Sequence, residues 1–144
     1  MFFEDFSPGA RFETAGRTIT EADIVNFAGI SGDWNEIHVN EEYAKTTRFG
    51  RRIAHGLLTL SVVSGLVTRL GLTTDSLIAF YGIDRLRFTK PVYIGDTVRA
   101  IVEVEGKEDK GDYGVVNFRI TAVNQRGETV LVATFKTAVK KANI

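Results

Sequence analysis

Between Gly56 and Leu70 lie Leu57, Leu58, Leu60, Val62, Val63, Leu66, Val67 and Leu70, which surround nearly the whole wheel of a helix. A helix that is apolar on all sides is buried, so another part of the chain has to cover it. At ~1.5 Å per residue, about fifteen residues span roughly 22 Å, the width of a small sheet. Gly56, Ser61, Ser64 and Gly65 are interspersed along it and would let strands approach closely. The apolar stretch from Gly56 to Val67 contains Thr59, Ser61 and Ser64 and falls short of the ~18–20 apolar residues that a bilayer requires.

The cover comes from the second half of the chain. Leu77 to Tyr81 is a short apolar run, and Asp84 to Phe88 alternates in polarity. Val98, Ala100, Val102 and Val104 share one face of a strand over Thr97–Glu105. Val116, Phe118, Ile120 and Ala122 do the same, as do Leu131, Ala133, Phe135, Thr137 and Val139. A period of two with polar partners indicates antiparallel strands with one buried face. Gly95-Asp96, a polar loop over Gly106–Gly114, and Asn124 to Gly127 supply the turns. A buried helix with an antiparallel sheet over it is an α+β fold. The 144 residues suit a single domain over 1–144, long enough to bury a real core without staples.

Composition excludes several kinds of function. The chain has no cysteine, so thiol nucleophiles, disulfides and thiolate zinc sites are out. His38 and His55 are its two histidines, which argues against a multi-histidine metal centre, though a mixed carboxylate site stays formally open. Eighteen basic residues balance eighteen acidic ones, without the basic excess of a nucleic-acid binder. The N-terminus, Met1 to Phe6, has no basic region ahead of an apolar run. A protein that binds neither nucleic acid nor membrane, in the cytoplasm, is expected.

In the first half, Phe12–Ile19 reads as a short strand with a bend at Gly16. Thr20 with Asp23 resembles a capping box, and Ile24, Phe27, Ala28 and Ile30 have helical spacing. Ser31 to His38 is rich in turn residues, Asn40 is placed to cap a short helix over 41–44, and residues 46–52 read as a loop.

Three places could carry chemistry. Asp33 and His38, five residues apart, would diverge by about 140° on a helix. They converge only if the intervening chain is irregular, which Gly32 and Asn35 allow. An Asp/His pair can do acid–base work near neutrality. Equally, Asp33 and Asn35 can be ordinary turn residues and His38 a hydrogen-bonded loop histidine. His55-Gly56 stands at the start of the apolar helix, where unpaired amides can hold an oxyanion and glycine lets a carbonyl come close. It can also be a glycine chosen for packing. Ser64, two turns plus about 80° further on, can hydrogen-bond toward such a site or pack under the sheet. Arg51-Arg52 reads as a solvated loop, with phosphate anchoring as the lesser reading.

Taken together, three segments resemble one family. Phe27-Ala28-Gly29-Ile30-Ser31-Gly32-Asp33-Trp34-Asn35-Glu36-Ile37-His38, followed by Ala44, is similar to the hydratase-2 signature of MaoC-like, (R)-specific enoyl-CoA hydratases. Ile53 to Leu58 with Ser64-Gly65, and Phe88 to Asp96, are similar to that family's central-helix and strand–turn segments. The resemblance covers most of residues 5–140. It implies a hot-dog fold, with an antiparallel sheet wrapped around the long helix and two subunits paired. It implies hydration of trans-2-enoyl-CoA to (R)-3-hydroxyacyl-CoA, or the reverse, with an acyl-CoA substrate and no metal or redox cofactor. Asp33 and His38 match the catalytic dyad, Asn35 an orienting residue, Gly56 the oxyanion donor and Ser64 a serine near the dyad. Glu36 stands where the family usually has proline, which puts the stiffness of that turn in question. A hot-dog thioesterase, an acyl-carrier-protein dehydratase and a non-catalytic acyl-CoA-binding module remain as alternatives.

Overall fold

The computed structural model describes residues 1–143. After a 3₁₀ turn over Phe3–Asp5 come strands β1 (Arg11–Glu13) and β2 (Arg17–Thr18), then helices α1 (Glu21–Ser31), α2 (Glu36–Val39), α3 (Glu41–Lys45) and α4 (Gly56–Thr68). Four long strands follow: β3 (Leu77–Phe88), β4 (Thr97–Asp109), β5 (Tyr113–Val123) and β6 (Thr129–Lys140). The sheet is antiparallel in the order β1-β4-β5-β6-β3, with β2 also paired to β4.

The alternating residues meet where their period places them. Val98, Ala100, Val102 and Val104 of β4, Phe118 and Ile120 of β5, and Leu131 and Phe135 of β6 form one buried cluster with Leu58, Val63 and Leu66 of α4. The sheet thus wraps the long helix, the α+β hot-dog arrangement. Thr20 caps α1 by accepting from the Asp23 amide, and the Asp23 carboxylate accepts in return from the Thr20 amide. The Arg17 guanidinium binds both Asp23 oxygens at 2.9 Å and holds that carboxyl down to about 2.

Four details differ from the sequence reading. The expected strand over Phe12–Ile19 is two short strands broken at Gly16. The runs Leu77–Tyr81 and Asp84–Phe88 are one strand, interrupted by register shifts, with Arg85 in the left-handed region at φ 54°. The polar loop over Gly106–Gly114 is mostly hairpin: Lys107, Glu108 and Asp109 pair with Val116, Val115 and Gly114. Polar sequence did not prevent a strand there because one face of the sheet meets solvent.

Finally, α4 is not buried on all sides. Leu57, Ser61, Gly65 and Thr68, spaced along one stripe, are exposed, and Leu57 is 58% accessible. One chain's sheet covers a single side of the helix. The edge strand β3 is exposed in the same way at Leu77, Ile78, Phe80 and Tyr81.

At the closed end of the sheet, Gly114 lies under the ring of Phe3, and Lys107 Nζ donates to the Phe3 carbonyl at 2.9 Å. A Cβ on Gly114 would run into that ring. Gly114→Ala should therefore lift the N-terminal turn off the sheet and cost about 1–3 kcal/mol, the usual size of an overpacking penalty. The urea midpoint measures it, and an unchanged midpoint would show that Phe3 moves aside freely.

Candidate active site

The turn after α1 is built by short-range hydrogen bonds. Gly32 ends the helix in the left-handed conformation, at φ 78°, and Ser31 Oγ accepts from the Asp33 amide at 3.1 Å. The Asp33 carboxylate accepts from the Asn35 amide at 3.2 Å. The Asn35 side chain accepts from the Ile37 amide and caps α2, while its carbonyl accepts from the His38 amide at 2.9 Å. Asn35 therefore anchors the Asp33 carboxylate through its amide and the main chain of residues 37 and 38 through its oxygens. Within the segment read as turns from sequence, residues 36–39 form a short helical turn, and this brings His38 back toward Asp33. Glu36 occupies the first helical position, where proline is well tolerated. There its charge favours the helix N-terminus, and it accepts from Asn40 Nδ2 at 3.3 Å, so the turn is ordered without proline.

The His38 ring stacks on the ring of His55, centroids 3.9 Å apart and 28° between planes. Phe27 of α1 packs on His55 at 4.9 Å. His38 Nδ1 lies 2.7 Å from the Ile53 carbonyl. A carbonyl can only accept, so the proton sits on Nδ1 and the Nε2 lone pair is left for a ligand. His55 Nε2 lies 2.9 Å from the Asp33 carbonyl, which puts its proton on Nε2. His55 is one residue whose part the sequence did not show. Its place before Gly56 is plain in the sequence, but a stack with a residue 17 positions away leaves no local signal.

Gly56 is the first residue of α4, and no acceptor pairs with its amide among the described residues. A Cβ there would meet the Phe88 ring at 3.0–3.1 Å, so packing alone also calls for glycine. Gly56 lines a cleft of about 380 Å³ together with Phe49, Ile53, Ala54, Phe88 and Pro91. Asp33 and His38 stand beside this cleft and not in its lining; Ile53, whose carbonyl holds His38, joins the two. Ser64 is not brought to them within the chain. It lies about 12 Å further along α4, against a separate cavity of about 140 Å³ walled by Leu77, Phe80 and Phe135. Arg52 pairs with Glu21 at 2.6 Å and Glu41 at 3.0 Å, and Arg51 lies over the Tyr93 ring at 4.0 Å.

Donor atoms of Asp33, His38 and His55 all lie within 4.8 Å of one another. Lone pairs of ring nitrogens point outward in the ring plane. Two nearly parallel stacked rings direct them side by side, not onto one ion at the ~2.0–2.1 Å of a zinc–nitrogen bond. One nitrogen of each ring is already bonded to a main-chain carbonyl. The cluster is shaped as a hydrogen-bonded stack beside an acid, suited to moving protons.

Burial pushes the His38 imidazole below its ordinary 6.5, and His55 adds to the lowering; the Ile53 carbonyl and the Asp33 charge work the other way. The neutral ring therefore persists to lower pH than in free histidine. Protonation then favours the unfolded chain, so stability is full above 6.5 and declines as pH falls through the folded value. Titration of the imidazoles by NMR should give His38 a midpoint below 6.5, and a midpoint above it would contradict the desolvated ring.

Comparisons with known proteins identify the family. The family model described as MaoC like domain matches residues 5–125. An (R)-specific enoyl-CoA hydratase of Rhodospirillum rubrum is 44% identical over 120 residues, covering 83% of this chain and 79% of that protein. A 3-hydroxybutyryl-CoA dehydratase of Methylorubrum extorquens is 42% identical over 104 residues, covering 72% of this chain and 64% of that protein. The crystal structure of a protein described as a monoamine oxidase regulatory protein, from Archaeoglobus fulgius, superposes with a TM-score of 0.94 at 41% identity, covering 99% of this chain and 95% of that one. With a model matching most of its length and relatives above 40% identity, the chain belongs to the MaoC-like domain family.

Proposed function

We propose that the protein is a hydro-lyase that adds water to trans-2-enoyl-CoA to give (R)-3-hydroxyacyl-CoA, and catalyses the reverse dehydration. The observation that carries this is the Asp33/His38 pair standing beside a cleft whose wall presents the unpaired Gly56 amide. The hydratase and dehydratase names of the relatives support the same chemistry.

The thioester carbonyl lies against the Gly56 N–H, which stabilises the negative charge that builds on its oxygen. One water sits between the Asp33 carboxylate and the free His38 Nε2. Asp33 takes a proton as the water oxygen bonds to C3, and His38 orients the water. The pair returns that proton to C2, so both groups end as they began. Asn35 keeps the acid and the imidazole in register. Ser64 serves this reading only through the family resemblance. No cofactor is needed beyond the CoA carried by the substrate, and a cytoplasmic location belongs to the same reading.

Asp33→Asn and His38→Gln should each fold and lose about 10²–10⁴ in turnover, the size of an acid–base contribution. Gly56→Val should lose turnover by about 10²–10³ with the pair still in place, as one oxyanion donor is removed. Absorbance assays across enoyl-CoA chain lengths measure all three. Release of free CoA thiol would make the protein a thioesterase, turnover on carrier-protein substrates alone would make it a carrier-protein dehydratase, and binding without turnover would leave an acyl-CoA-binding module.

The apolar edge of β3 fits a homodimer in which two sheets join, since an uncovered edge invites pairing with another chain. Light scattering should give at least twice the chain mass of 15.9 kDa, and a strict monomer at micromolar concentration would contradict this.

A further inference from the structure

His55 takes no part in the reaction as written, yet it is a buried polar group beside it, 2% accessible. Its Nε2–H donates to the carbonyl of Asp33, in the segment that also carries His38. His38 in turn donates from Nδ1 to the carbonyl of Ile53, in the segment that carries His55. The two rings are thus reciprocal straps, each reaching across to the other's main chain and stacked face to face where they cross.

Each strap sets a tautomer. A proton on His55 Nδ1 would be a buried donor without an acceptor, because that atom has no partner among the described residues. With the proton on Nε2, the Asp33 carbonyl is satisfied and the Nδ1 lone pair faces the interior. The titratable groups facing the stack are few. Asp33 approaches from the turn, His38 and His55 face each other, α1 presents Phe27, and the first turn of α4 carries no acid.

We propose that His55 is a positioning residue, which through its Nε2–H and its ring face holds Asp33 and His38 at a set distance from the Gly56 amide that follows it in the chain. This rests on the hydratase reading for the role of the three groups it holds, but not for the straps themselves. His55 is not among the residues that line the cleft, so its replacement is expected to act on turnover more than on substrate affinity. The removal of either strap lets the turn at residues 33–35 and the start of α4 move independently.

Two variants of the full chain separate its parts. His55→Gln keeps an N–H donor at the reach of Nε2 and loses the ring. His55→Phe keeps the ring and loses the donor. His55→Phe should lower kcat by about 10²-fold, the usual cost of a displacement near 1 Å at a reacting centre. KM should stay within about threefold of wild type, the pattern expected when only the transition-state geometry is lost. His55→Gln should recover at least about tenfold of that kcat, as a restored charge-free hydrogen bond would. Both variants remove a neighbour that lowers the His38 pKa, so the acid limb of the rate profile should move to higher pH.

In the wild type, nitrogen NMR should find pyrrole-type Nε2 on His55 and pyrrole-type Nδ1 on His38; with two histidines in the chain, either variant leaves His38 as its one imidazole and so assigns the signals. A proton on His55 Nδ1, wild-type kcat in a folded His55→Phe, or equal losses in both variants would overturn the proposal. If His55→Phe does not fold, the wild-type tautomers and the kcat of His55→Gln decide. If the wild type lacks hydratase activity, the function assignment fails while the tautomers still test the straps.

Discussion

The site depends on how the start of α4 is pinned. The Ala54 amide donates to the Val92 carbonyl at 2.7 Å, and Ile53 bridges to Tyr93. These bonds tie the two residues before His55 to the strap that leads into β4, while Leu58, Val63 and Leu66 hold the helix against the sheet. At most helix starts a serine, threonine or aspartate side chain would turn back and occupy a free amide. Here the cap residue is His55, whose side chain makes no capping bond and leaves for Asp33. The Gly56 amide, at the first helical position, lies outside the reach of any such cap and finds no acceptor among the described residues, and with the His55 side chain engaged elsewhere the next amides are left uncapped as well.

The pair beside it is arranged at a cost. A partly buried imidazole next to another imidazole is harder to protonate, and only the Ile53 carbonyl and Asp33 offset this. The first amides of α4 are left without acceptors among the described residues, whereas the turn at residues 32–35 is held by a left-handed glycine and by side-chain bonds of 3.1 and 3.2 Å. The open amides and the desolvated imidazole each lower stability, and both are groups to which the proposed reaction gives a role. The core makes up for it with a continuous apolar cluster running from Phe6, edge-to-face on Phe118, to Val139.

The exposed faces are as informative as the buried ones. Leu57 on α4 and Leu77, Ile78, Phe80 and Tyr81 on β3 are large apolar side chains that a single chain leaves half uncovered. On α4 the bare stripe is Leu57 with the small residues Ser61, Gly65 and Thr68, so the helix is less apolar all round than its leucines and valines suggest. Hydrophobic periodicity says which residues are apolar, not how fully the sheet covers them.

By itself the sequence determined the α+β class, the long helix, the period-two strands and their inward residues, because these depend on local spacing. It also located the Thr20/Asp23 cap and the Asp33-to-His38 segment, and family resemblance singled out Asn35, Gly56 and Ser64. Tertiary structure alone decided the rest. The break of the first strand at Gly16 follows from two short pairings with β4, and the long β4–β5 hairpin follows from having one solvated face. The helical turn at 36–39 is closed by the cap from Asn35. The stack of His38 on His55 and the exchange of carbonyls between residues 33 and 53 join segments far apart in the chain. The separation of Ser64 from the pair is fixed by the straight run of α4. Contacts of this kind are made by elements that meet only once the sheet has closed over the helix, so no window of sequence contains them.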